Sequence, residues 1–342
     1  MARWLMLLAA LCHPGWAADY PEVIEGAALA FPRDHGAHPA YRTEWWYVTG
    51  WLEAGDERSP FGFQVTFFRV RPPGEQANPS RFAPRQILFA HAALADTASG
   101  RLLTDERAAR SGFELAGADE ARTRVWIGDW SLEGESGRYR AHVRADRYEL
   151  DLILESTQPV LPQGRAGFSR KAGDPRHASY YYSLPQLRVE GRLALGGRRV
   201  GVHGSAWLDH EWSSELMPPA AVGWDWVGLN LDDGGALMAF RMRDGRGRTL
   251  WAGGTIRTRD QVVRTLEPED IEFRPLRRWR SPRTGIEYPV AVIVKAGDRT
   301  LELRPLMDDQ ELDSRRSTGA IYWEGAVRAP EGERVVGRGY LE

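Results

Sequence analysis

Two carboxylates sit in runs of sequence that a strand would bury. The segments Thr43-Glu44-Trp45-Trp46-Tyr47-Val48-Thr49-Gly50-Trp51-Leu52 and Gly223-Trp224-Asp225-Trp226-Val227-Gly228-Leu229-Asn230-Leu231 each carry one acid among tryptophans and aliphatic residues. Alternate side chains of a strand face opposite sides, so Glu44 shares a face with Trp46, Val48 and Leu52, and Asp225 with Val227, Leu229 and Leu231. Burying an unpaired carboxylate is costly; such a group is either hydrogen-bonded as structure or held with a raised pKa for proton transfer. A third segment, Val200 to Trp212, puts His210 on a face with Val202, Ala206, Leu208 and Trp212 and turns Asp209, Glu211 and Trp207 the other way. An imidazole beside an indole suits proton transfer on an apolar substrate near neutral pH. A core histidine bonded to a main-chain carbonyl would leave the same pattern. Glu44, His210 and Asp225 are therefore the candidates for acid–base chemistry.

Around them, Trp45, Trp46, Tyr47, Gln64, His91, Asp209, Glu211, Trp212, Trp224, Trp226 and Trp323 are the candidate ligand contacts. His91 shares its face with Phe89, Ala93 and Ala95. Gln64 suits either a ligand or a neighbouring strand. Arg69 and Arg241 are expected to cap strand ends, and Tyr180, Tyr181 and Tyr182 either line a mouth or pack. Ser205, between His203-Gly204 and Ala206-Trp207, does not make a nucleophile elbow, so serine hydrolysis has no support. Asp34, His35 and His38 could pinch a metal, but their spacing in a Pro- and Gly-bounded stretch reads as a solvated loop, and no standard zinc pattern emerges. No glycine loop follows a strand and opens a helix, so no nucleotide, metal or other cofactor is expected.

The elements that must hold these residues are strands. From Trp45 onward, short alternating or wholly apolar runs are separated by Gly, Pro, Asp and Asn turns, and no helical periodicity lasts three turns, the pattern of an all-β chain. Expected strands include Arg124–Gly134, Arg198–Trp212, Gly223–Leu231 and Ile321–Val327. A weak internal repeat is present: an aromatic strand, a turn and an apolar strand ending in arginine occur as Trp46–Leu52 with Phe61–Arg69, and again as Trp226–Leu231 with Ala236–Arg243. Two related closed or nearly closed barrels fit this, which removes sticky edges and leaves a mouth for a ligand. Two stacked β-sandwiches would read similarly.

Arg3, the apolar stretch from Trp4 to Cys12 and the small residues up to Ala17 read as a secretory leader, residues 1–17, followed by domains over 18–212 and 213–342. The apolar run is far shorter than the roughly 20 residues of a membrane span. Cleavage would remove the single cysteine, leaving a periplasmic or secreted protein without disulfides. With 45 Lys and Arg against 47 Asp and Glu, the net charge of −2 argues against nucleic acid as a partner. The one basic cluster, Arg274 to Arg283, is interrupted by Pro275 and Pro282 and reads as a solvated loop.

The motifs Thr43-Glu44-Trp45-Trp46-Tyr47, Phe61-Gly62-Phe63-Gln64, Trp207-Leu208-Asp209-His210-Glu211-Trp212, Gly223-Trp224-Asp225-Trp226 and Tyr322-Trp323-Glu324-Gly325 give the chain its resemblance to the AttH and carotenoid 1,2-hydratase (hydroxyneurosporene synthase) family, from about Phe31 to the C-terminus. The resemblance implies two lipocalin-like β-barrel domains, the second from near Ser213, and an apolar, often polyunsaturated ligand. In the hydratase branch water adds to a terminal isoprenoid double bond. The His-x-Trp pair of that branch is matched by His210 and Trp212, whereas its downstream Tyr and Asp find no counterpart in Met238-Ala239-Phe240-Arg241-Met242. The last strand, ending at Glu342 where relatives usually continue, is expected to be shortened. Two functions follow. One is metal-free hydration or isomerisation of an alkene, with Glu44, His210 or Asp225 as proton donor and Trp46, Trp212, Trp224 and Trp226 shielding a cation. The other is a non-catalytic carrier handing a lipid or lipoprotein to an envelope ABC-type transporter.

Overall fold

The computed structural model describes residues 20–55 and 60–342; the expected leader, with Cys12 and its cleavage point, lies outside them. Every regular element among the described residues is a strand or a short 3-10 turn, and no helix is long and apolar enough to cross a membrane. The first sheet has 13 strands: β1 (Thr43–Ala54), β2 (Phe61–Val70), β3 (Ile87–Asp96), β4 (Arg101–Arg110), β5 (Ala116–Ala118), β6 (Arg124–Ile127), β7 (Trp130–Glu135), β8 (Arg138–Arg144), β9 (Tyr148–Glu155), β10 (Leu161–Pro162), β11 (Phe168–Arg170), β12 (Ala178–Leu195) and β13 (Arg198–Glu215). Their order is β4-β3-β2-β1-β13-β12-β9-β8-β7-β6-β5, with β10 and β11 laid on β12. The two ends of this order meet. A bridge joins Gly112 to Ala116, and Arg107 on β4 donates to the carbonyls of Ile127 and Arg144, so the sheet curls into a nearly closed barrel.

After Glu215 the chain leaves this sheet and at Gly223 enters a second one of nine strands. These are β14 (Gly223–Leu231), β15 (Ala236–Arg243), β16 (Thr249–Arg257), β17 (Val263–Leu266), β18 (Ile271–Arg280), β19 (Glu287–Ala296), β20 (Arg299–Pro305) and, beyond the small hairpin β21 (Glu311–Ser314) with β22 (Ala320–Trp323), β23 (Gly325–Glu331) and β24 (Arg334–Leu341). In the order β17-β16-β15-β14-β24-β23-β20-β19-β18, the terminal strand β18 comes round to pack on β15 and β16. Two lipocalin-like barrels result.

Alternation decides which residues go where. The inward faces of β1, β2 and β3 give Trp46, Val48, Leu52, Phe63, Val65, Phe67 and Leu94 to the first barrel's core. Val227, Leu229, Val292 and Leu303 fill the second. The outward faces of β1, β12 and β13 are not wet: Tyr47, Trp51, Tyr181 and Trp207 meet Trp226, Met238, Phe240 and Tyr340 in an aromatic layer between the sheets.

Several local expectations need correction. Arg124–Gly134 is two strands, because Gly128 turns the chain at φ 62°. Ile321–Val327 is likewise split, at Glu324. The basic segment Arg274–Arg280 is an edge strand rather than a loop; there Pro275 coincides with a register shift, and exposed guanidinium groups discourage further pairing. β24 pairs with β14 from Val227 to Leu231 and with β23, reaching Leu341 in both ladders.

Candidate functional site

Glu44 and His210 meet because β1 and β13 pair antiparallel, setting Glu44 opposite Trp212 and Trp46 opposite His210. The His210 Nε2 lies 2.8 Å from Glu44 Oε1. The same oxygen is 2.8 Å from His38 Nδ1, and Oε2 takes the Arg69 Nε–H at 2.8 Å and the His38 main-chain N–H at 2.9 Å. Burial alone would lift the Glu44 pKa, but the Arg69 charge and the two imidazole contacts outweigh it and hold the carboxyl well below the usual range. Burial pushes His210 down to about 4, so near neutral pH it is an uncharged ring that donates from Nε2 and accepts at Nδ1 from Tyr182, 3.0 Å away. Tyr182 in turn lies 2.8 Å from His35 Nδ1. His38, pulled down by burial but up more strongly by Asp34 and Glu44, has a raised pKa, stacks on Trp212 at 3.7 Å and is partly exposed. His210 stacks on Trp46 at 4.7 Å.

This arrangement overturns two expectations. Asp34, His35 and His38 do not form a solvated loop: Asp34 is buried and bonded to Ala30, Arg33 and His38, making the segment a lid over the Glu44 cluster. Arg69 does not cap a strand end. It is 1 % exposed and, beyond Glu44, donates to Tyr41, His38 and Gln86. His38, Glu44 and His210 do bring three potential metal ligands within 4.8 Å of one another. Arg69, however, fixes a positive charge against that carboxylate, so a hydrogen-bonded acid–base cluster fits the donor set better than a cation site.

Asp225 is not in this cluster. It lies on β14 in the other sheet, with Arg241 Nε at 2.5 Å and Arg243 Nε at 3.2 Å. The internal repeat explains it: Asp225 faces Arg241 across β14–β15 as Glu44 faces Arg69 across β1–β2. Arg241 is thus an ion-pair partner too, not an end cap.

On the other face of β13, Asp209 and Glu211 enter the aromatic layer. Asp209 accepts from Tyr181 at 2.6 Å, Ser183 at 2.5 Å and the Trp207 indole at 2.6 Å, and the Trp226 indole reaches Tyr181 at 3.1 Å. Burial raises the Asp209 pKa and these donors lower it, leaving it at about 7. Glu211 pairs with the buried Lys171 at 2.8 Å and accepts from Ser179. Tyr47 donates to Glu324 at 3.1 Å, and burial pushes the Glu324 carboxyl well above its usual range. Trp45 and Trp224 pack against the same layer. Trp323 instead belongs to the second barrel's core, its indole bonded to the Asp308 carbonyl at 2.8 Å. His91, lowered to about 4 by burial, bonds Ser317 at 2.8 Å, and Gln64 donates to Thr66. Sequence reasoning set Arg69 and His38 aside, as a strand-end cap and a loop residue, and gave Lys171 and Glu324 no functional role. The recurring strand-end arginine and the Trp-Glu-Gly motif were the signals available for two of them.

Fold and site together define a two-barrel, lipocalin-like protein with buried acid–base groups on both faces of one shared strand. The chain belongs to the AttH-like family, whose model matches residues 22–342. It is similar to an AttH protein of Nitrosomonas europaea, with 47% identity, 94% of this chain and 98% of that one covered, and a TM-score of 0.87. The fold is shared at lower identity, 17%, with kievitone hydratase of Nectria haematococca, over 95% of this chain and 94% of that one with a TM-score of 0.67. CghA with Sch210972 matches at 15% identity, 87% of each chain and a TM-score of 0.51. No curated protein matches.

Proposed function

We propose that this protein holds an apolar, isoprenoid- or lipid-like molecule against the aromatic layer between its barrels and performs metal-free acid–base chemistry on a carbon–carbon double bond, as hydration or isomerisation. The observation that carries this is Asp209: a carboxyl poised at about 7, surrounded by Trp207, Tyr181 and, through Tyr181, Trp226. A general acid works best when its pKa lies near the working pH, and indole faces stabilise a developing cation. Behind it, on the inner face of the same strand, His210 pairs with Glu44 of the neighbouring β1 as a second acid–base pair, and the partly exposed His38 links them to the surface. The existence of a hydratase with this fold is consistent with the reading. Asp225, neutralised by two arginines, holds its hairpin in this scheme.

A second reading is favoured by the saturation of Glu44, whose two oxygens are wholly occupied by Arg69, His38 and His210. A carboxylate so tied is structural, and the protein would then be a carrier serving an envelope transporter. The leader read over residues 1–17 supports work in the periplasm or outside the cell under either scheme. The deciding experiment is native mass spectrometry to identify a co-purifying ligand, followed by binding and turnover of that ligand by Asp209→Asn and His210→Ala. An enzyme working through these groups keeps affinity and loses turnover at least 100-fold in the variants; conversion unchanged in both variants removes Asp209 and His210 from the chemistry, and binding without any conversion in the wild type rejects catalysis.

A further inference from the structure

Two neighbouring turns, where the β4 and β5 ends of the first sheet meet, carry large apolar side chains into solvent. Phe82, in the connection from β2 to β3, is 68 % exposed, and Phe113 and Leu115, in the turn from β4 to β5, are 47 % and 66 % exposed. The two phenyl rings stack with their centroids 5.4 Å apart. The Arg110 guanidinium lies over both, 5.1 Å from the Phe82 ring and 4.9 Å from that of Phe113, and Arg81 lies 5.8 Å from the Phe113 ring. Among the described residues, neither guanidinium has a hydrogen-bond or carboxylate partner. Arg85 adds a third positive charge and donates to the Asn78 carbonyl at 3.0 Å. Against these cations, Glu114 is the one carboxylate carried by residues 80–85 and 111–115.

The fold holds these side chains outward. The Leu115 N–H closes its turn on the Gly112 carbonyl at 3.1 Å, the Gly128 N–H bonds the Leu115 carbonyl at 2.8 Å, and the Trp126 indole donates to the Glu114 carbonyl at 3.0 Å. Phe113 and Glu114 both take left-handed backbone, φ 56° and 59°, which is uncommon for residues with a side chain and persists where the surroundings impose it. On the other turn, the Phe82 N–H bonds Ser80 Oγ at 3.1 Å. Scattered single apolar residues on a surface need no explanation, but three adjoining ones fixed in place under guanidinium groups make a preformed tip.

Charge and size select the occupant. Three cations beside one carboxylate call for an anionic partner, and a guanidinium stacked on a ring keeps its edge N–H groups free for phosphate oxygens. The exposed apolar area is on the order of a few hundred Å², well short of the roughly 800 Å² per partner of a stable protein interface. It suits a tip entering the boundary between headgroups and acyl chains, where apolar side chains reach about 5–10 Å deep and cations meet lipid phosphates. We infer that Phe82, Phe113 and Leu115, with Arg81, Arg85 and Arg110, form a docking surface for an anionic lipid bilayer. The surface goes beyond the proposed chemistry and does not depend on it.

The test is flotation of the purified protein with vesicles of phosphatidylcholine alone or with about 30 % phosphatidylglycerol. The expected result is binding to the mixed vesicles, on the order of 10-fold weaker on phosphatidylcholine alone and weakened by raising salt to about 0.5 M. Phe82→Ser with Phe113→Ser, and separately Arg81→Gln with Arg110→Gln, should each reduce binding roughly 10-fold. Phe82→Ser alone, whose ring is already mostly in water, is expected to keep the wild-type melting temperature and to weaken binding about 3-fold, which separates lost docking from misfolding. Binding to neither vesicle, equal binding to both, or binding unchanged by both pairs of substitutions would each overturn the docking surface. So would a dimer in sedimentation velocity that Phe82→Ser dissociates, since the patch would then belong to a second copy of the chain. Every one of these outcomes leaves the proposed chemistry at Asp209 standing.

Discussion

Glu44 and Arg69 form an ion pair with no water to fall back on, and such a pair is felt most when one partner is removed. Glu44→Gln strands the Arg69 guanidinium and is expected to destabilise the protein by about 3–5 kcal/mol in urea unfolding, whereas an exposed pair such as Arg140–Asp151 is worth under about 1 kcal/mol. The two residues that follow each other on β13 pull stability in opposite directions with pH. His210, at about 4 folded against roughly 6.5 unfolded, contributes stability that is complete above the unfolded value and lost as pH falls toward 4, at most about 3 kcal/mol. Asp209, at about 7 folded against roughly 3.9 unfolded, contributes stability that is complete below the unfolded value and lost as pH rises toward 7. Between pH 4 and 7 these two contributions oppose each other. Asp209→Asn removes the falling one, so its urea midpoint should rise more steeply with pH across that window than the wild type's; the same slope in variant and wild type would show that Asp209 does not titrate there.

At the level of elements, the meeting of Glu44 with His210 is made by twelve consecutive cross-strand pairs from Thr43–Ser213 to Ala54–Val202. That closeness depends on Gly204, where a Cβ would sit 1.9 Å from the Trp51 carbonyl oxygen, a backbone atom that cannot swing aside. Gly204→Ala is expected to cost roughly 2–3 kcal/mol and to broaden the His210 and His38 ring resonances in NMR spectra as the β1–β13 spacing loosens. How much of this was readable beforehand varies by element. Period-two alternation identified β1, β2, β14 and β15, and which of their side chains share a face, because one side of each is a barrel core. β4 was not legible, since its Thr104-Asp105-Glu106-Arg107 run is half-buried at the end of the sheet order and lacks an apolar face. The Asp34–His38 lid was illegible for a different reason: nothing local in a Pro- and Gly-bounded segment shows that its donors will be satisfied by Glu44, which comes into reach only when β1 and β13 pair. The repeat, by contrast, held more than was taken from it, since the arginine that closes each unit is the partner of that unit's acid.

For the molecule as a whole, the consequence of having two barrels lies in the strands they share least obviously. β1 and β13 serve two cores at once, Trp46, Leu208 and Trp212 inward and Tyr47, Trp51 and Trp207 outward. The outward set is polar as well as greasy: the Trp51 indole donates to the Gly339 carbonyl at 3.1 Å, Asn230 donates to the Ala206 carbonyl at 3.0 Å, and Arg257 reaches the Pro159 carbonyl at 2.8 Å. Separation would leave these donors unpaired and expose a contiguous aromatic surface of the kind that marks an interface or an aggregation site. The barrels should accordingly unfold as one unit. A chain ending at Glu215 is expected to be poorly soluble, to bind a hydrophobic dye such as ANS and to show no cooperative melt of its own, while the full chain gives a single transition by calorimetry with a calorimetric enthalpy equal to the van't Hoff value. Two resolved transitions, or a soluble and cooperatively folding first barrel, would mean that the layer holding Asp209 and Glu324 is a contact between independent bodies, and that its acids are not held in place by the fold.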